Sequence, residues 1–172
     1  MGKITFILGG ARSGKSRLAV NLAKKHGRKV AFIATCLPLD REMKKRISIH
    51  KKTRPAHWQT FEATQDLFSV LKKIGSQYQV ILIDCLTLFV SGLLLKKIKE
   101  ETIENEINKI LSLLKRMKAK SIIVSNEVGL GIVPENKLAR DFRDIAGRIN
   151  QLVAKNASRV YFMVSGIPWR IR

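Results

Sequence analysis

The sequence predicts an α/β fold in which a mostly parallel central sheet is flanked by helices, in a single domain of 172 residues. Short apolar runs alternate with longer segments of helical period, which is typical of βαβ units. Each run is continuously apolar rather than alternately apolar and polar, as expected of strands that helices cover on both faces. No internal repeat or Gly/Ser-rich linker divides the chain, so its length predicts one domain.

The individual elements follow from the same patterns. Strands are expected at 4–8, 30–34, 80–83, 121–124 and 160–164. Helices are expected at 15–26, 40–52, 63–74, 100–117 and 135–156. The stretch 86–95 predicts a buried helix or strand-to-helix passage, because it is interrupted by Ser91 and Gly92 and is too short to span a bilayer. The tail 167–172 is expected to add an edge strand after a turn at Gly166.

Composition indicates a folded, strongly basic protein with polyanionic partners. Hydrophobic residues make up 45%, and 33 Lys and Arg against 13 Asp and Glu leave a net charge of +20, which excludes a disordered chain of low hydrophobicity. Nucleic acid, an anionic membrane surface and phosphorylated small molecules all fit this charge. The two cysteines form no disulfide framework or metal-ligand spacing. We therefore expect a cytoplasmic protein, since the apolar run 4–8 is also too short for a signal-peptide core.

A phosphate-binding loop follows the first predicted strand. It satisfies the pattern G-x-x-x-x-G-K-[ST] with Gly9, Gly10, Ala11, Arg12, Ser13, Gly14, Lys15 and Ser16. The backbone N–H groups of such a loop surround phosphate oxygens, the lysine reaches the outer phosphates and the serine can ligate magnesium. The predicted fold class is therefore P-loop NTPase-like, of the RecA-like type.

Asp84 is the candidate partner of this loop in holding magnesium. It follows the apolar run 80–83, and nucleotide chemistry in P-loop folds usually needs an acid at the end of a second buried strand. The alternative is that Asp84 only caps the helix that follows it. The presence of the phosphate loop favours the magnesium role.

The segment 41–54 carries seven cations and one acid. If it is helical, Arg46, His50 and Arg54 share a face. Neighbouring positive charge then disfavours the imidazolium, so that His50 is predicted to be neutral near pH 7 and able to attack phosphorus. A solvated histidine on a charged helix is the alternative, and residue chemistry alone favours it.

The residues by themselves leave three functions open. A P-loop nucleotide enzyme with a nucleophilic histidine is one, and a small-molecule kinase without nucleotidyl transfer is another. The third is a P-loop ATPase or binding module that acts on nucleic acid, as the net charge suggests. The sequence lacks a recognition-helix motif, a zinc finger or an aromatic platform, and aromatic residues make up only 6%. These observations disfavour the third function.

Over almost its whole length the chain resembles the bifunctional adenosylcobinamide kinase/adenosylcobinamide-phosphate guanylyltransferases of cobalamin biosynthesis. The resemblance rests on segments at 9–16, 33–35, 40–50, 54–58, 84–87, 125–136 and 142–151. The block 125–136, Ser-Asn-Glu-Val-Gly-Leu-Gly-Ile-Val-Pro-Glu-Asn, contains no common generic motif, so the resemblance is far more specific than the phosphate loop. The chain departs from the family at 89–92 and in the Lys-rich stretch 96–99.

The resemblance implies two reactions. ATP or GTP phosphorylates the aminopropanol hydroxyl of adenosylcobinamide, and GTP then donates GMP through a histidine to give adenosylcobinamide-GDP. The guanylylated histidine falls on His50. The family's nucleotide contacts fall on 9–16 and on Ala34, Thr35, Cys36, Lys51, Lys52, Thr53, Arg54, Glu62 and Asp84. Magnesium bound by Ser16 and Asp84, a homotrimer, and no dependence on nucleic acid or membrane insertion are also expected.

The loop that contains Asn126 and Glu127 follows the fourth predicted strand. Open α/β sheets bind ligands at this edge, so we expect the loop to shape the corrinoid or nucleotide pocket. Pro134 is expected to begin the helix that follows, because proline is well tolerated in a first helical turn.

Overall fold

The computed structural model describes residues 2–36, 41 and 54–172. These residues build one seven-stranded sheet with helices on both faces. The predicted helix over 40–52, His50 included, lies outside the described residues apart from Arg41.

The sheet is parallel except at one edge. Its strands, β1 to β7 in chain order, are Ile4–Gly9, Val30–Ala34, Gln59–Glu62, Val80–Asp84, Lys120–Val124, Arg159–Val164 and Ile167–Arg170. They lie in the order β3-β2-β4-β5-β1-β6-β7, and only the pair β6–β7 is antiparallel. The predicted mostly parallel sheet is confirmed, and the carboxyl ends of six strands meet at one edge.

Helices cover the sheet unequally. The described helices, α1 to α5, are Lys15–His26, Leu67–Ile74, Leu86–Leu95, Glu100–Arg116 and Lys137–Asn156. The last four share one buried apolar cluster, whereas α1 packs into the cluster on the opposite face. Residues 80–83 of strand β4 are all apolar because both faces are covered: Ile81 and Ile83 face the first cluster, while Val80 and Leu82 face the second.

Two predicted helices begin later than expected. The Oδ1 atom of Asp66 accepts a hydrogen bond from the Ser69 N–H at 2.8 Å, so α2 begins at Leu67 rather than at 63. Asn136 caps α5 in the same way, accepting from the Ala139 N–H at 3.2 Å. Side-chain caps therefore set both starts. The prediction that Pro134 begins α5 is wrong, because this residue lies in the preceding loop.

Strand β3 is absent from the predicted strands. Three of its four residues are exposed and only Phe61 is partly buried, so it has neither a continuous apolar run nor a buried alternate face. The stretch 86–95 is a helix, as expected, with Phe89 and Val90 fully buried. Within the described residues, none of the helices combines the length and apolarity needed to cross a bilayer.

The predicted C-terminal edge strand is confirmed as β7. Strands β6 and β7 form a hairpin in which Val164 pairs with Ile167. Ser165 and Gly166, the two residues between them, have φ of 50° and 86°, which is the backbone of a tight two-residue turn. This turn lies beside the phosphate loop.

Candidate active site

The phosphate loop lies between β1 and α1, as the sequence predicts. Strand β1 ends at Gly9 and α1 begins at Lys15. The Lys15 Nζ donates to the Gly10 carbonyl at 2.5 Å and to the Ser13 Oγ at 3.5 Å, with only 7% of the residue exposed. The ammonium group is therefore held across the loop, where it can meet the outer phosphates of a nucleotide.

Two neighbouring segments fix the loop from the sides. The N–H of Gly166, in the β6–β7 turn, donates to the Ser13 carbonyl at 3.1 Å. The N–H of Glu127, after β5, donates to the Gly9 carbonyl at 3.0 Å. The phosphate loop is thus positioned by both of its neighbours in the sheet as well as by its own helix.

Asp84 lies at the carboxyl end of β4, in register with Ala34 of β2 and Val124 of β5. Its charge acts on two cations. Burial lowers the pKa of Lys15 below its ordinary value, and the carboxylate of Asp84 partly offsets this. Burial likewise lowers the pKa of Arg54, again opposed by Asp84. A carboxylate and two cations from distant parts of the sequence therefore converge at this edge of the sheet.

Arg54 has a buried guanidinium that is suited to an anionic ligand. Its Cζ lies 3.3 Å from the centroid of the Phe32 ring, a cation–π contact. Its Nη1 is buried and has no hydrogen-bond partner among the described residues. An unpaired buried N–H is costly, and a phosphate oxygen is the acceptor that guanidinium groups prefer.

The ends of β2 and β3 bring the other predicted nucleotide contacts to the same edge. Glu62 is exposed at the end of β3, in register with Ala34. The Thr35 Oγ1 donates to the Cys85 carbonyl at 2.6 Å, so that this hydroxyl fixes the backbone after Asp84. Burial, followed by the charge of Asp84, raises the pKa of the Cys85 thiol to about 12.

A buried polar network lies behind these groups. The Asn126 N–H donates to the Thr87 Oγ1 at 2.6 Å, and the Thr87 Oγ1 lies 2.9 Å from the Ser125 Oγ. The Ser125 Oγ donates to the Asn150 Oδ1 at 2.7 Å, and the Asn150 Nδ2 donates to the Asn126 carbonyl at 3.1 Å. Because Ser125 donates to Asn150, Thr87 supplies the hydrogen between the two hydroxyls. The network joins β5 to α3 and α5.

Sequence reasoning assigned no role to Thr87 or Asn150. Both are polar residues at positions that face the core, with 4% and 5% of their surface exposed. Asn150 lies beside Ile149 on the buried stripe of α5. Their position inside an apolar stripe is the sequence signal that could have identified Thr87 and Asn150, because buried polar groups are normally hydrogen-bonded.

The predicted site residues that the structure describes lie at one edge of the sheet. The loop 9–16, residues 34–36, Arg54, Glu62 and Asp84 all lie at or beside the carboxyl ends of the strands. The predicted site residues His50, Lys51, Lys52 and Thr53 lie outside the described residues.

The other two histidines are not part of this edge. His26 ends α1, where burial and then the charges of Lys120 and Arg159, at the starts of β5 and β6, lower its pKa. His57 is exposed in the turn that precedes β3. Among the described residues, no three or more His, Cys, Asp or Glu side chains are grouped as metal ligands.

Comparison with known proteins identifies the family. The family model described as cobinamide kinase / cobinamide phosphate guanyltransferase matches residues 5–171. The bifunctional adenosylcobalamin biosynthesis protein CobP of Pseudomonas aeruginosa is 42% identical over 166 residues, which cover 96% of this chain and 95% of that protein. The protein CobU of Salmonella typhimurium, which carries the same description, is 43% identical over 178 residues, with 96% and 98% coverage.

Among solved structures, the similarity is at a much lower level of sequence identity. The RadB recombinase has a TM-score of 0.49 and 12% identity, and the match covers 94% of this chain and 74% of the recombinase. The two sequence relatives are far more similar, at 42% and 43% identity over nearly their full length. The chain belongs to the cobinamide kinase / cobinamide phosphate guanyltransferase family.

Proposed function

We propose that this chain catalyses two successive reactions on a corrinoid. It phosphorylates adenosylcobinamide with ATP or GTP, and it then transfers GMP from GTP, through a GMP–histidine intermediate on His50, to give adenosylcobinamide-GDP. The observation that carries the proposal is the convergence of Lys15, Asp84 and Arg54, whose Nη1 has no hydrogen-bond partner among the described residues, at the edge where the phosphate loop opens. Arg54 directly follows the segment that contains His50.

In the kinase reaction the corrinoid hydroxyl oxygen attacks the γ-phosphorus. The bond from that phosphorus to the bridging oxygen breaks, the nucleoside diphosphate leaves, and the hydroxyl proton passes to solvent. Lys15, held across the phosphate loop by Gly10 and Ser13, binds the outer phosphate oxygens as charge moves onto them. The loop backbone holds the nucleotide so that attack occurs in line.

In the guanylyl transfer a neutral nitrogen of His50 attacks the α-phosphorus of GTP, and pyrophosphate leaves. A phosphate oxygen of the phosphorylated corrinoid then attacks the same phosphorus, the P–N bond breaks, and the histidine nitrogen is restored. Arg54 is placed to bind the phosphate under attack, since a guanidinium can hold two oxygens of a phosphate at once. Lys51, Lys52 and Thr53 are proposed as further nucleotide contacts between these two residues.

Magnesium fits the donors at this edge. Ser16 is half-buried in the first turn of α1 and Asp84 is half-buried at the end of β4, and magnesium takes hydroxyl and carboxylate oxygens together with phosphate oxygens and waters. Bound magnesium would neutralise charge on the phosphates that leave. Independently of magnesium, the charge of the Asp84 carboxylate favours the protonated forms of Lys15 and Arg54.

We further propose that the protein is a single-domain cytoplasmic enzyme that forms a homotrimer and does not require nucleic acid. The family resemblance supports the trimer. Phosphorylated substrates explain the net charge of +20. Most of the excess of Lys and Arg over Asp and Glu lies in the first 60 residues, which contain the phosphate loop and the His50 segment.

Retention of GMP on the protein tests the proposal. The protein is incubated with α-labelled GTP and magnesium, and label that is stable to base and labile to acid is counted on the chain. We expect label on the wild type, none on His50→Ala, and full labelling of the matched control His57→Ala, whose side chain is exposed in a turn. Lys15→Ala should lose both the label and the kinase activity.

Three results would contradict the proposal. Equal labelling of His50→Ala and the wild type would remove the assigned nucleophile. Kinase activity without any label would reduce the protein to a kinase. Salt-sensitive binding of DNA or RNA in a protein that transfers no GMP would instead favour the nucleic-acid module that the net charge alone allows.

A further inference from the structure

The loop after β5 contacts the phosphate loop through Glu127 and ends in exposed apolar residues. Leu130, Ile132 and Val133 have 79%, 96% and 59% of their surface exposed. Single exposed apolar residues are common on protein surfaces, but several together indicate a surface that is covered in function. The segment 126–133 also contains no lysine or arginine and one acid, Glu127, in a chain with a net charge of +20. A segment of this composition does not attract phosphate.

The base of this segment is held rigidly. The Asn126 N–H and carbonyl are bound by the Thr87 and Asn150 side chains, at 2.6 Å and 3.1 Å. The carboxylate of Glu127 accepts from the Gly129 N–H at 2.8 Å. The Glu127 N–H donates to the Gly9 carbonyl, the first residue of the phosphate loop. The apolar tip is therefore tethered within a few residues of the place where phosphates bind.

We infer that the segment 126–133, the acceptor loop, binds the corrin ring of the acceptor and presents the aminopropanol arm to the phosphate loop. This inference rests on the proposed function. A corrin ring carries methyl groups on its faces and amides at its edge, so it offers an apolar surface and no polyanion. Of the two substrates, only the corrinoid matches a loop that is apolar, lacks cations and adjoins the phosphate site. A nucleoside triphosphate would instead select cations such as Lys15 and Arg54.

Substitution of the apolar tip tests the inference. Ile132→Ser and Leu130→Ser remove apolar surface that the ring would bury, and burial of one such side chain corresponds to about a tenfold change in affinity or more. We expect the dissociation constant for cobinamide, measured by equilibrium dialysis, and its KM in the kinase assay to rise at least about tenfold in each variant. The KM for GTP should change by less than about twofold.

Leu95→Ser is the matched control. Leu95 is 55% exposed and ends α3, at the far end of that helix from the strand edge. It should bind cobinamide like the wild type. Because all three side chains are exposed, none of the substitutions should disturb folding, which far-UV circular dichroism checks.

The outcomes separate this inference from the function on which it rests. Wild type that binds and phosphorylates cobinamide, with Ile132→Ser and Leu130→Ser equal to it, would overturn the acceptor loop alone. Wild type that neither binds nor phosphorylates cobinamide or adenosylcobinamide would overturn the proposed function and the inference together. A lower molecular mass of the two loop variants by light scattering, with unchanged cobinamide affinity, would show that a second copy of the chain covers the apolar tip instead.

Discussion

Replacement of Gly9 by alanine tests how closely the phosphate loop is packed on its neighbour strand. An added β-carbon would lie 2.6 Å from the Met163 carbonyl oxygen, 2.8 Å from the Ser13 Oγ and 2.9 Å from the Met163 Cβ. Two of these contacts are with β6, whose pairing with β1 places Gly9 opposite Met163. Gly9 also has a φ of 151°, which a residue with a side chain rarely adopts.

The cost can be worked from these contacts. Overpacking in a close-packed region costs about 1–3 kcal/mol, and a strained backbone conformation costs about 1–3 kcal/mol more. We therefore expect Gly9→Ala to lower the free energy of unfolding by about 2–6 kcal/mol. Urea unfolding followed by circular dichroism measures this as a lower midpoint with an unchanged m-value.

Gly10→Ala is the matched control, because a β-carbon added there meets nothing within 4 Å. Its free energy of unfolding should stay within about 1 kcal/mol of the wild type. Any change should be an increase, because alanine makes the unfolded chain less flexible than glycine does. A loss of less than about 1 kcal/mol in Gly9→Ala, or equal losses in the two variants, would refute the reasoning.

Three further predictions concern the groups behind the site. Ser125→Ala leaves the Asn150 Oδ1 without its donor and should lower the free energy of unfolding by about 1–3 kcal/mol; an unchanged urea midpoint would contradict this. Asp84→Asn should slow labelling by α-labelled GTP at least about tenfold and raise the magnesium concentration needed for half-maximal labelling; unchanged magnesium dependence would exclude a magnesium role. The raised pKa of Cys85, about 12 against an ordinary 9.0, means that the unfolded thiol ionises first, so stability should fall with rising pH above about 9. Relative to Cys85→Ala, the loss between pH 9 and 10 should be about 1 kcal/mol, and a flat difference in urea unfolding would contradict it.

The fold was predictable where one physical effect dominates. Strands covered on both faces are apolar at most positions, so β1, β2, β4, β5 and β6 could be located from their apolar runs. Strand β3 could not, because it lies at an edge and buries little. The starts of α2 and α5 were misplaced because one side-chain cap, from Asp66 or Asn136, outweighs the helical periodicity upstream.

The site, too, contains residues that the sequence could predict and residues that it could not. The phosphate loop and Asp84 could be found because each is a short motif at the end of a predictable strand. The position of Arg54 over Phe32, and the effect of the Asp84 charge on both Arg54 and Lys15, depend on contacts between residues distant in sequence. The hydrogen bonds that connect Ser125 to Asn150 depend on how α5 packs on the sheet, which local patterns do not contain.

A single-turnover chase tests the two-step transfer most directly. Protein labelled from α-labelled GTP is freed of nucleotide and mixed with adenosylcobinamide phosphate, and the label is followed on the protein and in the corrinoid. We predict that label leaves the wild-type chain at least as fast as steady-state turnover and appears in adenosylcobinamide-GDP, whereas His50→Ala neither acquires label nor forms product. Label that stays on the wild-type protein in the presence of adenosylcobinamide phosphate, or adenosylcobinamide-GDP formed by His50→Ala when GTP is supplied, would contradict the account.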